Sequence, residues 1–347
     1  MRLGLLVAGG GGMLIPDMAE LGRRAETAGF DAVLVPESWR SGVAPVAAIA
    51  AVTTEVEVGP YVLNAHARTP LSAGMDAVDL DQLSGGRLVL GVGSGNEVMN
   101  ASGHGVPVVR PLEKMRDYLG VLGEVTRAPA GSTVAREGTR HYLRAWRPQA
   151  VPEREQIPIL LAATSPRMTD LAADAADGIA LGALQSASFV ANVARRCRSR
   201  SPHGERFAVY CAAFTAVHAD RDTARAAARR AVVDLFAVKP HPHYERLLHQ
   251  QGYAAFSDQM MRLLSHGDVG AAQRLVPDEV VDTLTIAGTP QECQAKIQEY
   301  SPAVDALVLS NVAAMQQITA GERPDPGPML ASYDVLLELA GLVRRAA

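Results

Sequence analysis

One repeated pattern dominates the chain. A short run of β-branched and aliphatic residues is followed by a loop marked by glycine or proline, then by a longer amphipathic segment. The clearest copy comes first. Residues 3–7 read as a strand, the four glycines 9–12 as a loop, and Pro16 opens a helix. Asp17 and Glu20 fall early in that helix and Arg23 and Arg24 later, the order its dipole favours. Ile15, Met18, Leu21, Ala25 and Ala28 recur at helical spacing, Gly29 ends the segment, and residues 32–35 form a second strand. A β-loop-α-β unit needs a crossover, so its two strands pair in parallel.

The pattern recurs along the chain. Further strands are expected at 56–63, 88–92, 159–162, 178–181, 207–217 and 306–309, making eight. Most are continuous apolar runs, as parallel strands covered on both faces should be. Eight such strands with interleaved helices fit an α/β fold of the (β/α)8 TIM-barrel type better than an open sheet. No linker divides the chain, so 1–347 reads as a single domain. Two stretches exceed a simple unit, about 96–158 and 222–282. Each follows the C-terminal end of a strand, so both are expected to be helical insertions forming lids or walls over the active face.

Composition narrows the functional class. Lys+Arg 33 against Asp+Glu 37 leaves a net charge of −4, so there is no basic field for nucleic acid. Only Lys114, Lys239 and Lys296 are lysines, which leaves arginine for almost every anion contact. Cys197, Cys211 and Cys293 are far apart and fit neither a disulfide framework nor a zinc site. No apolar stretch reaches the ~18 residues of a membrane span. The N-terminal apolar run is too short for a signal sequence. A cytoplasmic protein without membrane or nucleic-acid partners is expected.

In a barrel the functional residues lie just after each strand. Those positions hold Gly9–Gly12, Glu37-Ser38-Trp39, Asn64 and His66, Ser94-Gly95-Asn96, Thr164 to Met168, Ala183 to Gln185, and Asn311. Glu37, His66 and Arg167 are the ionisable members. Small and amide residues of this kind suit the walls around a large planar ligand rather than a hydrolase or a metal site. Gly91-Val-Gly93-Ser-Gly95-Asn96 approaches a dinucleotide fingerprint. It lacks the last glycine and the acid-ended second strand, so its glycines are read as letting a ligand ring approach the backbone. Ser165 as N-cap and Pro166 as first helical residue predict a helix start whose free N–H groups form an anion site. Arg167 in that first turn is either an anion ligand or a solvated side chain. His241-Pro-His243 has no carboxylate or cysteine cluster beside it and reads as solvent-facing, with no metal. Trp39 and Trp146 suit the core or a pocket wall equally.

Longer blocks carry a resemblance. Ala25-Glu-Thr-Ala-Gly-Phe-Asp31 with Val35-Pro-Glu37, and Leu80-Asp-Gln-Leu-Ser-Gly-Gly-Arg-Leu-Val-Leu-Gly-Val-Gly-Ser-Gly95, resemble the bacterial luciferase-like superfamily. Pro158-Ile-Leu-Leu-Ala-Ala163, Leu171-Ala-Ala-Asp-Ala-Ala-Asp-Gly178 and Ile286-Ala-Gly-Thr-Pro290 extend the likeness over nearly the whole chain. Arg110-Pro-Leu and Ile157-Pro-Ile-Leu look most like its F420-dependent branch, the methylenetetrahydromethanopterin reductase-like proteins.

The resemblance implies a homodimeric TIM-barrel oxidoreductase using coenzyme F420. Hydride would pass between the deazaflavin and a small organic substrate such as an imine, an iminium or a conjugated C=C. It implies Glu37 and Asn64 flanking the ring, Ser94 and Gly95 beside it, and Thr164, Ser165, Arg167 and Met168 on the phosphate. It also implies a non-prolyl cis peptide at Tyr61–Val62 backing the ring. Candidate catalytic residues are Glu37, Ser38 and Asn96, with Ser38 read as a pocket residue rather than a proton donor. Ser38 stands where the family's sugar-phosphate dehydrogenases carry a histidine, Asn96 where they carry a carboxylate, and Leu184 and Gln185 where they carry lysine. A sugar-phosphate substrate is therefore not expected. The alternatives are an FMN-dependent monooxygenase and a flavin- or F420-binding protein without turnover.

Overall fold

The computed structural model describes residues 1–8, 12–238, 242–315 and 325–346. Of the expected features, most of the first glycine loop and His241 lie outside the described residues. The strands are β1 (Arg2–Leu6), β2 (Ala32–Val35), β3 (Glu57–Pro60), β4 (Leu63–Asn64), β5 (Leu90–Gly93), β6 (Val134–Arg136), β7 (Leu143–Trp146), β8 (Ile159–Ala162), β9 (Gly178–Leu181), β10 (Ala208–Val217), β11 (Ile286–Gly288) and β12 (Ala306–Asn311). Hydrogen bonding runs β3-β2-β1-β12-β10-β9-β8-β5-β4, with β11 beside β10, and every neighbouring pair is parallel. The two ends of this order meet where Val58 bridges Leu88 and Val89 N donates to Val58 O at 2.9 Å. β3 and β4 are two pieces of one stave, so the cylinder has the eight staves of a TIM barrel.

The apolar runs behave as fully covered strands: Ala32, Val33, Leu34 and Val35 are all buried. Leu34, Val89, Leu160, Ala180, Ala212 and Val308 fill the barrel, while Leu5, Val33, Leu90 and Leu161 face the surrounding helices. In the first helix, Ile15–Ala28, Met18, Leu21 and Ala25 are buried as expected, but Ile15 is exposed. Gly29 closes it at φ 93°, a left-handed C-cap that glycine adopts without a Cβ clash.

The N-terminal end of the barrel is plugged. Arg2 donates to the Tyr210 hydroxyl at 2.8 Å, that hydroxyl donates to Glu57 at 2.6 Å, and Arg2 pairs with Glu57. A ligand must therefore enter from the opposite end.

One detail follows the resemblance and one differs from the sequence reading. The third stave is interrupted at Tyr61–Val62, whose peptide bond is cis, as the resemblance implies. The stretch 96–158 is not purely helical. It holds a π-helical turn (Met99–Gly103), the helix Pro111–Arg127 and an antiparallel β6–β7 hairpin. Val134 and Leu143 of that hairpin pack on Val121 and Val125 of the helix, with Trp146 at the edge of the cluster. Trp146 is thus a packing residue.

The second insertion is helical as expected: Arg221–Val238, Pro242–Gln250, Ala254–Ser265, Val269–Leu275 and Asp278–Leu284. It closes around its own apolar cluster, which includes Val232, Phe236, Leu248, Met260 and Val281. Arg225 ties its first helix to its last through Asp282 and Asp278.

Candidate active site

A cavity of about 2390 Å³ opens at the C-terminal ends of the staves. Every residue expected at the cofactor site lines it: Glu37, Tyr61, Val62, Asn64, Ser94, Gly95, Thr164, Ser165, Arg167 and Met168, together with Ser38 and Asn96. Their roles differ from one another.

Glu37 follows β2 and is held on three sides. Its Oε2 accepts from Asn64 N at 2.8 Å, and its Oε1 accepts from Arg68 Nη2 at 2.8 Å and Gly42 N at 3.3 Å. Arg68 in turn donates to Asp76 at 3.0 Å and Ser41 at 3.0 Å. Both carboxylate oxygens therefore have protein donors, and Glu37 fixes the loop after β4.

Asn64 is engaged in the same way. Its Oδ1 accepts from His66 N at 3.0 Å, and its Nδ2 donates to Asn100 Oδ1 at 2.6 Å. Asn100, fully buried on the π-helical turn, passes the chain of bonds on to Ser94 O at 2.8 Å. This network locks the β4 and β5 loops together. Sequence reading found neither Arg68 nor Asn100, because nothing local marks an amide that bonds 36 residues away.

The glycines after the fourth expected strand are also required by protein contacts. A Cβ on Gly91 would lie 2.5 Å from Pro60 O and 2.7 Å from Val62, and one on Gly93 would lie 2.8 Å from Val62. At Gly95, φ +65°, it would lie 2.5 Å from Asn64 Oδ1. The bulge at Val62 and the Asn64 side chain occupy that space.

Tyr61 turns its side chain into the barrel, where its hydroxyl donates to Leu181 O at 2.7 Å. Burial raises its pKa well above the ordinary phenol value, so it remains a donor. Val62 is the half-buried side chain left at the bulge. Met168 packs into the main core.

The helix Pro166–Ala175 begins as expected, with Ser165 Oγ accepting from Met168 N at 3.4 Å. Arg167 is exposed on the cavity wall and, among the described residues, makes no side-chain hydrogen bond or ion pair. Asn96 Nδ2 is buried without a partner on the same cavity. Both groups stand available to a ligand. Trp39, 60% exposed, forms part of the rim.

The helix Pro242–Gln250 supplies the facing wall. Gln250 donates to Thr164 O at 3.1 Å, and the following Gln251 donates to Leu184 O at 2.8 Å and accepts from Ser186 N at 2.9 Å. The helix is thus fastened to the loops after β8 and β9. Leu247 and Leu248 are buried and Tyr244 packs beside Phe236, which sets His243 and Arg246 on the cavity wall. His243 is therefore half-buried at the site, not solvent-facing as the sequence suggested.

His66 is buried but lies off the cavity. Burial, and after it the positive Lys114 and His141, pull its pKa down to about 4. The unfolded chain then binds one proton more than the native protein between the ordinary ~6.5 and about 4. Stability is therefore expected to fall as pH drops through that window. Denaturant midpoints measured from pH 7 to pH 4 test this, and His66→Gln should reduce the slope.

Among the described residues, no helix is long and apolar enough to cross a membrane. The fold and cavity have counterparts among known proteins. A Mycobacterium tuberculosis protein assigned by name to the coenzyme F420-dependent oxidoreductases is 28% identical, covering 92% of this chain and 97% of its own. The 5,10-methylenetetrahydromethanopterin reductase of Archaeoglobus fulgidus is 29% identical over 80% of this chain and 84% of its own. The solved structure of the coenzyme F420-dependent tetrahydromethanopterin reductase of Methanopyrus kandleri superposes with a TM-score of 0.76 at 22% identity, covering 90% of this chain and 96% of that one. The family model for luciferase-like monooxygenases matches residues 4–306, so the chain belongs to that family.

Proposed function

We propose that this protein is a coenzyme F420-dependent oxidoreductase that moves hydride between the deazaflavin and a small organic substrate. One observation carries the reading. A large cavity with an apolar floor ends at a capped helix start, where Arg167 stands without a partner among the described residues. A flat ring with an anionic tail fits those two halves. The relative named for F420 supports the same choice.

The residues present fit such a group. Arg167 and the amides at the start of the helix Pro166–Ala175 would hold its phosphate. The Val62 bulge with Ser94 and Gly95 would back its ring, and the unsatisfied Asn96 amide supplies a donor. Glu37, Asn64 and Asn100 keep those loops in register. When bound, the cofactor supplies a ring carbon that gives or takes hydride, while the chain supplies position and a dry cavity. An imine, an iminium or a conjugated C=C is the acceptor this reading favours. A homodimer in the cytoplasm belongs to the same reading, and the three buried free cysteines suit a reducing compartment.

The family's monooxygenases favour FMN as the second reading. Titrating the protein with oxidised F420 and with FMN, read by protein fluorescence, separates the two. Tight FMN binding with none for F420 would overturn the proposal, and F420 binding without turnover of any substrate would leave a binding protein. Arg167→Ala is expected to weaken F420 binding roughly 10–150-fold and to flatten its salt dependence, since a charge-assisted phosphate contact is worth about 1.5–3 kcal/mol. Unchanged affinity would return Arg167 to the solvated surface.

A further inference from the structure

We propose that Glu245, His249 and Asp258 form a binding site for a zinc-type divalent ion at the edge of the cavity, where the ion rivets two helices of the second insertion together. The inference goes beyond the cofactor reading and does not depend on it.

The packing of the insertion brings the three side chains together. Glu245 and His249 are four residues apart in the helix Pro242–Gln250, so they are neighbours on one of its faces. Asp258 comes from the next helix, Ala254–Ser265, whose Met260 is buried in the same apolar cluster as Leu248. One ligand atom from each of the three lies within 4.8 Å of the other two. His249 Nε2 and Asp258 Oδ1 already meet at 2.9 Å.

A cation is what the group lacks. Glu245 is half-buried, yet among the described residues it makes no hydrogen bond or ion pair. Among the same residues no arginine or lysine pairs with Asp258, whose side chain bonds to the imidazole instead. Two carboxylates at this separation repel, and a divalent ion turns that repulsion into attraction. The donor set names the class of ion. One imidazole nitrogen with two carboxylate oxygens suits zinc, whereas magnesium and calcium take shells made of oxygen. Zinc holds such atoms at about 2.0–2.2 Å, which sets them roughly 3.4 Å apart around a tetrahedral ion. His249 and Asp258 need to part slightly, and Glu245 closes the gap by turning its side chain. The proton that His249 shares with Asp258 passes to water as the ion takes its place.

The position gives the ion a task. His249 lines the cavity, and Gln250 beside it donates to Thr164 O at 3.1 Å. The ion therefore stiffens the facing wall next to the point where that wall is tied to the barrel. Three protein ligands also leave a fourth position for water or for an anionic group of a bound molecule.

The test uses the full-length protein, stripped with EDTA and titrated with zinc chloride by calorimetry, with magnesium chloride in parallel. One zinc ion per chain is expected, bound more tightly than magnesium. His249→Ala, Asp258→Asn and Glu245→Gln should each weaken zinc binding more than about 10-fold, since even the hydrogen-bond partners of metal ligands are worth that much. All three should keep the wild-type denaturation midpoint in EDTA, which separates loss of the ion from loss of the fold. Zinc should also slow amide hydrogen exchange across 242–265 in the wild type and leave it unchanged in His249→Ala. No saturable zinc binding, a preference for magnesium, or a zinc affinity that survives His249→Ala would each overturn the proposal.

Discussion

Gly59→Ala is expected to unfold most of the protein. A Cβ at Gly59 would lie 1.8 Å from Val89 O and 2.9 Å from Val89 C, so the obstacle is backbone that cannot rotate away. Those atoms belong to the seam where the barrel closes, beside the Val58–Leu88 bridge. Opening the seam exposes apolar surface on both edges and breaks the ladder between β3 and β5. The cost should exceed about 4 kcal/mol, a large share of the roughly 5–15 kcal/mol that holds a domain folded. Gly85→Ala is the control. Gly85, unlike Gly59, has positive φ, but nothing lies within 4 Å of its would-be Cβ, so only backbone strain of about 1–2 kcal/mol is expected. Urea denaturation of both variants reads the difference. A wild-type midpoint for Gly59→Ala would disprove the close approach.

Glu37→Ala should have the second-largest effect, and it separates two roles. The substitution removes the acceptor for Asn64 N, Gly42 N and the Arg68 guanidinium, in a place where the Glu37 and Arg68 side chains are 13% and 21% exposed. A hydrogen bond to a charged group is worth about 1.5–3 kcal/mol, so a stability loss of about 2–3 kcal/mol is expected. The β4 loop loses its anchor as well, so F420 binding should be lost with it. Glu37→Gln keeps an acceptor for Asn64 N and should fall between. If Glu37 instead held the cofactor directly, Glu37→Ala would lose affinity at an unchanged denaturation midpoint.

Much of this was legible in the sequence because it is written locally. The staves are apolar on both faces, and that shows in each short run by itself. The same holds for the Ser165-Pro166 helix start and for Gly29 as a C-cap. What the sequence hid depends on partners far along the chain. Asn100 looks like any polar residue in a loop until the fold sets it between Asn64 and Ser94. The β6–β7 hairpin is short, and only Val134 and Leu143 of its strands are buried, so no alternation betrays it. His243 was misread because its facing depends on Leu247 and Leu248 being buried and on the glutamine anchors beyond them. The glycines of β5 were noticed for good reason, but what crowds them is the neighbouring stave.

The separate apolar cluster of the second insertion has an evolutionary consequence. That insertion packs largely on itself and meets the barrel through Ala183 and Leu184 after β9, Phe214 and Ala216 of β10, Val312 after β12 and two glutamines. Drift among its inward-facing side chains can therefore alter which molecules the cavity accepts at little cost to the stability of the staves or to the anchored loops around Glu37. The architecture divides the protein into a frame and a replaceable wall, so that a lineage can acquire new substrates by editing the wall's cavity-facing side chains.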